Sequence, residues 1–276
     1  MQPKQKLFED ITRKGSKTFY SVSLFFPKEI RHDVFLLYAF TRTADDLVDA
    51  IPPNTQKFQE YKQLTGSALD GNTVDHPVVD AFGELVRRKS INKNLVWDYF
   101  TALDMDVDGR KYRSYQNLEV YMYGVAETIG LMMAKIMEVP EESYQSARLL
   151  GKAFQLINII RDIDEDEKAG RVYIPQDDLR RFGLTSVREG KAQEQKMKEL
   201  IRFELERFFE ANKEAKKGLR FLPRNYRVPI ATASDVFQFV GKKIYDDPMI
   251  VFRTKVKPSV IQILLTVFRN AVFLGE

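Results

Sequence analysis

Apolar residues in this chain recur mostly at the three- and four-residue spacing of amphipathic helices, and strand-like alternation is scarce. Val34 to Phe40 is a dense apolar run. Leu118 to Met137 is a second, in which Gly124, Ala126, Gly130 and Ala134 allow close helix packing. Ala147 to Asp166 is a third, and Lys196 to Lys217 a more charged fourth. Breaks fall at Pro52-Pro53-Asn54, at a loop from Ser67 to Pro77, and at Val139-Pro140-Glu141. Gly170 and Pro175 bracket the end of the third helix, and Pro223, Pro229, Pro248 and Pro258 punctuate the tail. With no repeat, low-complexity segment or linker, the expectation is an all-α chain forming a single domain over 1–276.

Composition narrows the chemistry. Hydrophobic residues at 44% and charged residues at 30% support a sizeable core. The absence of cysteine excludes disulfides, thiolate metal sites and a Cys nucleophile. Two histidines, His32 and His76, are too few for a His-rich zinc site and are expected as ordinary surface or loop residues. A net charge of +4 suits nucleic acid, an anionic membrane or a phosphorylated substrate. No nucleic-acid-binding motif accompanies it, so nucleic acid is not an expected partner. The opening Met-Gln-Pro-Lys-Gln-Lys lacks the apolar stretch of a leader, and no apolar run approaches the ~20 residues of a membrane span. The expectation is a soluble, cytoplasmic protein. The apolar stretch Val260 to Phe273 is expected to pack on the domain, with a peripheral membrane contact as the alternative. Oligomeric state leaves no mark in the sequence.

Two segments carry the candidate chemistry. In Arg42-Thr-Ala-Asp45-Asp46-Leu-Val-Asp49, Asp45 and Asp49 lie one helical turn apart. In Gln155-Leu-Ile-Asn158-Ile-Ile-Arg161-Asp162-Ile-Asp-Glu-Asp166, Asn158, Asp162 and Asp166 share a face over two turns. Like charges one turn apart disfavour their own helix unless cations sit on them. Oxygen-only ligands on helices suit Mg²⁺, which keeps several waters and bridges to phosphates. A lone Asp-x-x-x-Asp is more often a solvated face. The second set is more telling, because its acceptors continue the apolar face of Phe154 to Ile157. Asp164, Glu165 and Glu167 fall on other faces and are expected in solvent. Arg42 can pair with Asp45 or reach a phosphate, and Lys168, Arg171 and Tyr173 follow within reach of an anion.

Taken together, these stretches resemble the squalene/phytoene synthase family of head-to-head prenyl transferases, phytoene synthases most of all. The likeness runs from Gly15-Ser-Lys-Thr-Phe-Tyr20 through Phe26-Pro27, Arg31 and Tyr38 to Asp49, then Tyr121 to Ala126 and Gly130. It is densest at Gln155 to Asp162, Asp166 and Gly170-Arg-Val-Tyr-Ile-Pro175. The resemblance implies an isoprenoid-synthase-type helical bundle around a central cavity. It implies Asp45, Asp49, Asn158, Asp162 and Asp166 as metal ligands, for Mg²⁺ or Mn²⁺. Ser16, Thr18 and Arg42 would contact diphosphate, with Arg171 and Tyr173 on the flap side. Phe19, Tyr38, Tyr121, Val125 and Gln155 would line the tunnel for the isoprenoid tails, and Tyr121 is a candidate acceptor for the last proton. Arg253 and Lys255 fall near a basic stretch of the family, in a tail that matches too loosely to assign.

The implied reaction joins two prenyl diphosphates through a cyclopropyl intermediate. Two C20 units would give phytoene; two C15 units would give dehydrosqualene, or squalene where NADPH serves as reductant. Ser23, one turn after Phe19, is small enough to leave room for the longer chains, which favours phytoene. Asp45-Asp46-x-x-Asp49 also fits prenyl elongators and terpene cyclases. Elongators, however, carry a second Asp-Asp-x-x-Asp, and cyclases have Ser or Thr and then Glu where Asp162 and Asp166 stand. A non-catalytic helical scaffold is the remaining alternative, although all five expected ligands are present.

Overall fold

A computed structural model describes residues 3–109 and 111–274 of the chain, with side chains from residue 5 onward. Met1 and Gln2, at the head of the expected leaderless start, lie outside the described residues. Among the described residues the regular structure is entirely helical. In order, the α-helices are α1 (Pro3–Gly15), α2 (Lys17–Ser23), α3 (Lys28–Asp49), α4 (Thr55–Leu69), α5 (Pro77–Arg88), α6 (Lys93–Val107), α7 (Tyr115–Met122), α8 (Thr128–Ile136), α9 (Tyr144–Arg161), α10 (Ile163–Lys168), α11 (Gln176–Arg181), α12 (Val187–Ala192), α13 (Glu194–Lys216), α14 (Arg224–Asp246) and α15 (Val260–Phe273).

Helix boundaries follow local chemistry. Ser16, Asn54, His76, Asn92, Ser114, Ser186 and Ser259 each accept a backbone N–H at a helix start, and Ser114 and Ser259 complete capping boxes. The interhelical loop expected from Ser67 begins only after α4 ends at Leu69. Pro229 departs further from expectation: it does not interrupt the tail but sits inside α14. It lies close enough to the helix start that only the Asn225 carbonyl loses its partner. The stretch from Leu118 to Met137 is helical as expected, yet a π turn at Tyr123–Glu127 divides it. Asp162, at φ −99° and ψ 10°, separates α9 from α10, so the second acidic face is bent rather than straight.

Two hydrophobic clusters hold the helices together. One surrounds α3, with Val34, Phe40 and Ala44 fully enclosed, and takes in α5, α6 and α8. The other lies around α9 and α13, with Leu156, Ile157, Leu205 and Phe208 at its centre. Val125, in the π turn, packs against both. Where α8 crosses α9, a Cβ on Gly130 would stand 2.2 Å from the Ala147 carbonyl oxygen, and one on Gly151 would stand 2.2 Å from that of Ala126. Glycine is obligatory at this crossing because backbones touch there.

A buried ionic staple joins α11 to α13. Arg207 reaches Asp178 at 2.7 Å and Glu204 at 2.9 Å, with its guanidinium 3.9 Å from the Tyr115 ring centroid. One guanidinium serves two buried carboxylates. Burial first, opposed by Arg207 and reinforced by Asp178, raises Glu204 from 4.5 to about 7. The fold therefore holds a proton that the unfolded chain releases near pH 4.5. Its stabilising contribution is complete below that pH and is lost as pH rises through about 7, by ~3 kcal/mol at most. Glu204→Gln is accordingly expected to gain melting temperature relative to the unmodified protein on going from pH 5 to pH 8. Thermal melts of both proteins at both pH values check this, and a parallel pH dependence would refute it.

Candidate active site

A cavity of about 1040 Å³ runs between the two hydrophobic clusters. Lys168 apart, every site residue expected from the sequence lines it. Asp45 and Asp49 come from the end of α3, and Asn158, Asp162 and Asp166 from the α9–α10 bend. Ser16, Thr18, Phe19 and Ser23 come from α2 and its cap, and Tyr38 and Arg42 from α3. Tyr121 comes from α7, Val125 from the π turn, Gln155 from α9, and Arg171 and Tyr173 from the strap after α10.

The carboxylates are close enough to perturb one another. Asp45 is half-buried, and its Oδ1 accepts a hydrogen bond from the Tyr99 hydroxyl at 2.7 Å. Burial, with the nearby Asp49 charge, pushes it up to about 7. Burial likewise lifts Asp166 to about 7, helped by Asp162, Asp49 and Asp106 and opposed by Arg171. Both acidic segments line this one cavity, and Arg171, which adjoins the second, pairs with Asp49 of the first. Asp162 is different. Burial disfavours its charge, but Arg161 at 2.8 Å and Lys255 at 3.1 Å overcome that and hold its carboxyl below the usual range.

The chain after α10 returns to the site by a defined turn. Gly170 at φ +80° closes the helix, with its own N–H donating to Glu167 and the Arg171 N–H donating to the Asp166 carbonyl. This is the double bond of a Schellman stop, which requires a left-handed residue. It sends Arg171 back across the cavity, where Nη1 meets Asp49 Oδ1 at 2.7 Å, while its Nε is buried without a hydrogen-bond partner.

On the opposite wall, Phe19 stacks on Tyr38 with centroids 4.8 Å apart, and burial raises the Tyr38 phenol to about 12. Tyr121 stacks on Tyr173 at 5.2 Å, and both hydroxyls donate to Asp106 at 2.8 Å. Burial lifts Asp106 to about 6 against those two hydrogen bonds. Ser23 is 1% exposed, and its hydroxyl has no hydrogen-bond partner.

Some residues escaped sequence reasoning, and some expectations need correction. Asp106 and Tyr99 line the cavity but stand outside the motifs. The only available signal for them was a polar side chain in an apolar helix, which has many causes. Lys255, left unassigned in the loosely matching tail, also lines it, whereas Arg253 pairs with Asp247 outside. Arg42 pairs with Asp46 rather than Asp45, because the i,i+4 partner lies on its exposed side. Asp164, expected in solvent, is buried between Lys191 and Lys168, so Lys168 does not turn toward the cavity. His76 is a loop residue capping α5, and His32 is half-buried against Phe8.

The donor set fits a hard divalent cation in chemistry, since it is all oxygen, and desolvation raises two of its carboxylates, Asp45 and Asp166, to about 7. Among the described residues, however, no three His, Cys, Asp or Glu side chains are gathered as a metal site. The charges are met instead by Arg171, Arg161 and Lys255.

Comparison with known proteins bears on the family and the fold. Residues 12–262 match the squalene/phytoene synthase family. A 15-cis-phytoene synthase from Enterobacter agglomerans is 35% identical over 245 residues, covering 83% of this chain and 82% of the relative. A phytoene synthase from Pseudescherichia vulneris is 32% identical over 246 residues, covering 83% and 79%. A dehydrosqualene synthase solved with a ligand superposes with a TM-score of 0.88 at 24% identity, covering 99% of this chain and 97% of that one. A squalene synthase from Alicyclobacillus acidocaldarius superposes at 0.77 and 21% identity, covering 93% and 95%. At these identities the two structures speak for the fold.

Proposed function

Because the chain belongs to the squalene/phytoene synthase family, shares its all-α isoprenoid synthase fold and is a prenyltransferase, we propose that it joins two geranylgeranyl diphosphates head to head into phytoene. The observation that carries this reading is the cavity itself. Carboxylates from segments more than a hundred residues apart share it with Arg171, while Phe19, Tyr38, Val125 and Ser23 make the rest of its wall apolar or small.

Asp45, Asp49, Asn158, Asp162 and Asp166 would hold Mg²⁺, with Mn²⁺ as a substitute, and the bound cation would neutralise the departing diphosphate. Arg171 can turn its free Nε to a diphosphate oxygen, and Ser16, Thr18 and Arg42 offer further donors. When the allylic C–O bond of one substrate breaks, the cation needs a site without water, which would trap it as an alcohol. The stacked faces of Phe19 and Tyr38 supply negative quadrupole and no nucleophile, since burial keeps the phenol protonated. The double bond of the second substrate then attacks, and loss of a proton closes a cyclopropyl diphosphate. A second ionisation, rearrangement and proton loss give the hydrocarbon. The released diphosphate is the stronger acceptor for those protons. Tyr121 and Tyr173, clamped by Asp106, act by shape and polarity.

The relatives named as phytoene synthases favour C20 substrates over the C15 alternative. Incubating the purified protein with each prenyl diphosphate, with and without NADPH, tests the reading by mass analysis of hydrocarbons and by diphosphate release. The expected result is a C40 hydrocarbon, formed without NADPH and abolished by chelation. A C30 product alone would move the assignment to squalene or dehydrosqualene synthesis. A cyclic terpene or a longer diphosphate would move it to cyclisation or elongation. No diphosphate release from either substrate would leave a scaffold.

A further inference from the structure

The strap that carries Arg171 and Tyr173 into the cavity has little backbone support of its own. Among the described residues, the N–H groups of Val172, Tyr173 and Ile174 have no backbone partner. Its position is therefore set by its side chains and by its two ends. The upstream end is the Gly170 turn. The downstream end is the start of α11, where the Gln176 and Asp177 N–H groups donate to the Tyr112 and Arg113 carbonyls at 2.9 Å each. A helix start leaves such donors without internal partners, so the 112–113 segment supplies what α11 lacks.

The next residue, Asp178, is 7% exposed and takes a two-pronged contact from Arg207 of α13, Nη1 to Oδ2 at 2.7 Å and Nη2 to Oδ1 at 3.2 Å. The same guanidinium lies 3.9 Å from the ring centroid of Tyr115, the first residue of α7. α7 also carries Tyr121, which meets Tyr173 of the strap by stacking and through the shared Asp106 carboxylate. Tyr112, whose carbonyl holds Gln176, stacks on Tyr173 at 6.0 Å. One arginine thus ties the downstream end of the strap to the start of the helix that forms the facing wall. A two-pronged guanidinium–carboxylate pair fixes orientation as well as distance, which an ammonium does not. Buried ion pairs add little net stability, so the geometry this one imposes is its better explanation.

We propose that the Arg207–Asp178 pair is a positioning device for the strap. It holds α11 in register so that Arg171 and Tyr173 stand against Asp49 and Asp106, and it touches no substrate, since neither residue lines the cavity. The role of Arg171 at the departing diphosphate rests on the function proposed above; the anchoring of the strap does not. Glu204 supplies an internal contrast. It accepts from Arg207 Nη1 at 3.0 and 2.9 Å, yet it stands on α13 one turn from Arg207 and leads to no part of the strap.

Hydrogen exchange read by mass spectrometry tests the anchor on the substrate-free protein, and steady-state kinetics test its consequence. In Asp178→Asn the backbone amides between Arg171 and Asp177 are expected to exchange about tenfold faster, with α3 and α9 unchanged. Diphosphate release from geranylgeranyl diphosphate is expected to lose about tenfold in kcat with less than about threefold change in KM, because Arg171 acts on charge that develops as the C–O bond breaks. Glu204→Gln, which removes a contact to the same guanidinium, is expected to match the unmodified protein in both measurements at neutral pH. Arg207→Lys keeps the charge without the fork and is expected to reproduce Asp178→Asn, so either of these two variants suffices if the other does not fold. Unchanged exchange across the strap, an acceleration that reaches α3 and α9 equally, equal loosening in Glu204→Gln, or a loosened strap with unchanged kcat overturns the proposal. If the unmodified protein releases no diphosphate from either prenyl substrate, the proposed function falls, and the exchange pattern still decides the anchor.

Discussion

Replacing Asp166 by asparagine is expected to lower diphosphate release by about a thousandfold or more and at the same time to raise the melting temperature of the substrate-free protein. Both effects have one origin. Asp166 is half-buried, and desolvation together with the charges of Asp162, Asp49 and Asp106 raises it to about 7. Such a carboxylate costs folding energy and is retained for what it binds. Asparagine keeps the shape, removes the repulsion and forfeits the anionic ligand. For a chain of this size each kcal/mol relieved shifts melting by roughly 2–4 °C. Asp162→Asn is expected to lose turnover similarly but without the gain in stability. Repulsion along the helix alone would predict a gain there too, yet the Asp162 carboxylate is paired with Arg161 and Lys255; its removal would strand Arg161, whereas Lys255 keeps Glu165. Melting curves and diphosphate release for both variants decide the matter. An Asp166→Asn protein that is less stable, or that keeps a tenth of its activity, would contradict the assignment.

The second large effect is expected at Ser23. Substitution by phenylalanine should cut turnover of the C20 substrate at least tenfold relative to the C15 substrate, and so shift products from C40 to C30. The local geometry gives the reason. Ser16 caps α2 among the polar groups, and Ser23 ends the helix about 10 Å further along the axis. Ser23 already faces the cavity with an unpartnered hydroxyl, so an aromatic ring there has nowhere to go but into the tunnel. Product masses from equimolar C15 and C20 substrates measure the ratio. An unchanged ratio, in a variant with a normal melting curve, would mean that chain length is set elsewhere.

Much of this molecule was legible before any coordinates. Helical spacing and the small residues of α8 are properties of neighbours within a few positions, so α3, α9 and α13 stood out by their own patterns. The five acceptor residues were legible for the same reason, since one-turn spacing puts them on a face wherever the helix lies. The π turn at Tyr123–Glu127 and the bend at Asp162 were not legible, because each is a small distortion imposed by packing on a pattern that still reads as helix.

What the sequence by itself determined is therefore the all-helical class, the longest helices such as α3, α9 and α13, and the candidate anion-and-cation chemistry at two stretches. Only the tertiary structure decided which charges meet. Arg171 reaches Asp49 across 122 positions and Lys255 reaches Glu165 across 90. Asp106 gains its Tyr173 partner across 67, and Asp164 is buried by a lysine from another helix. The same holds for α15, whose composition reads as core but whose outer face is exposed among the described residues. Helix formation is governed by short-range geometry, whereas burial and ionisation depend on what the rest of the chain brings alongside.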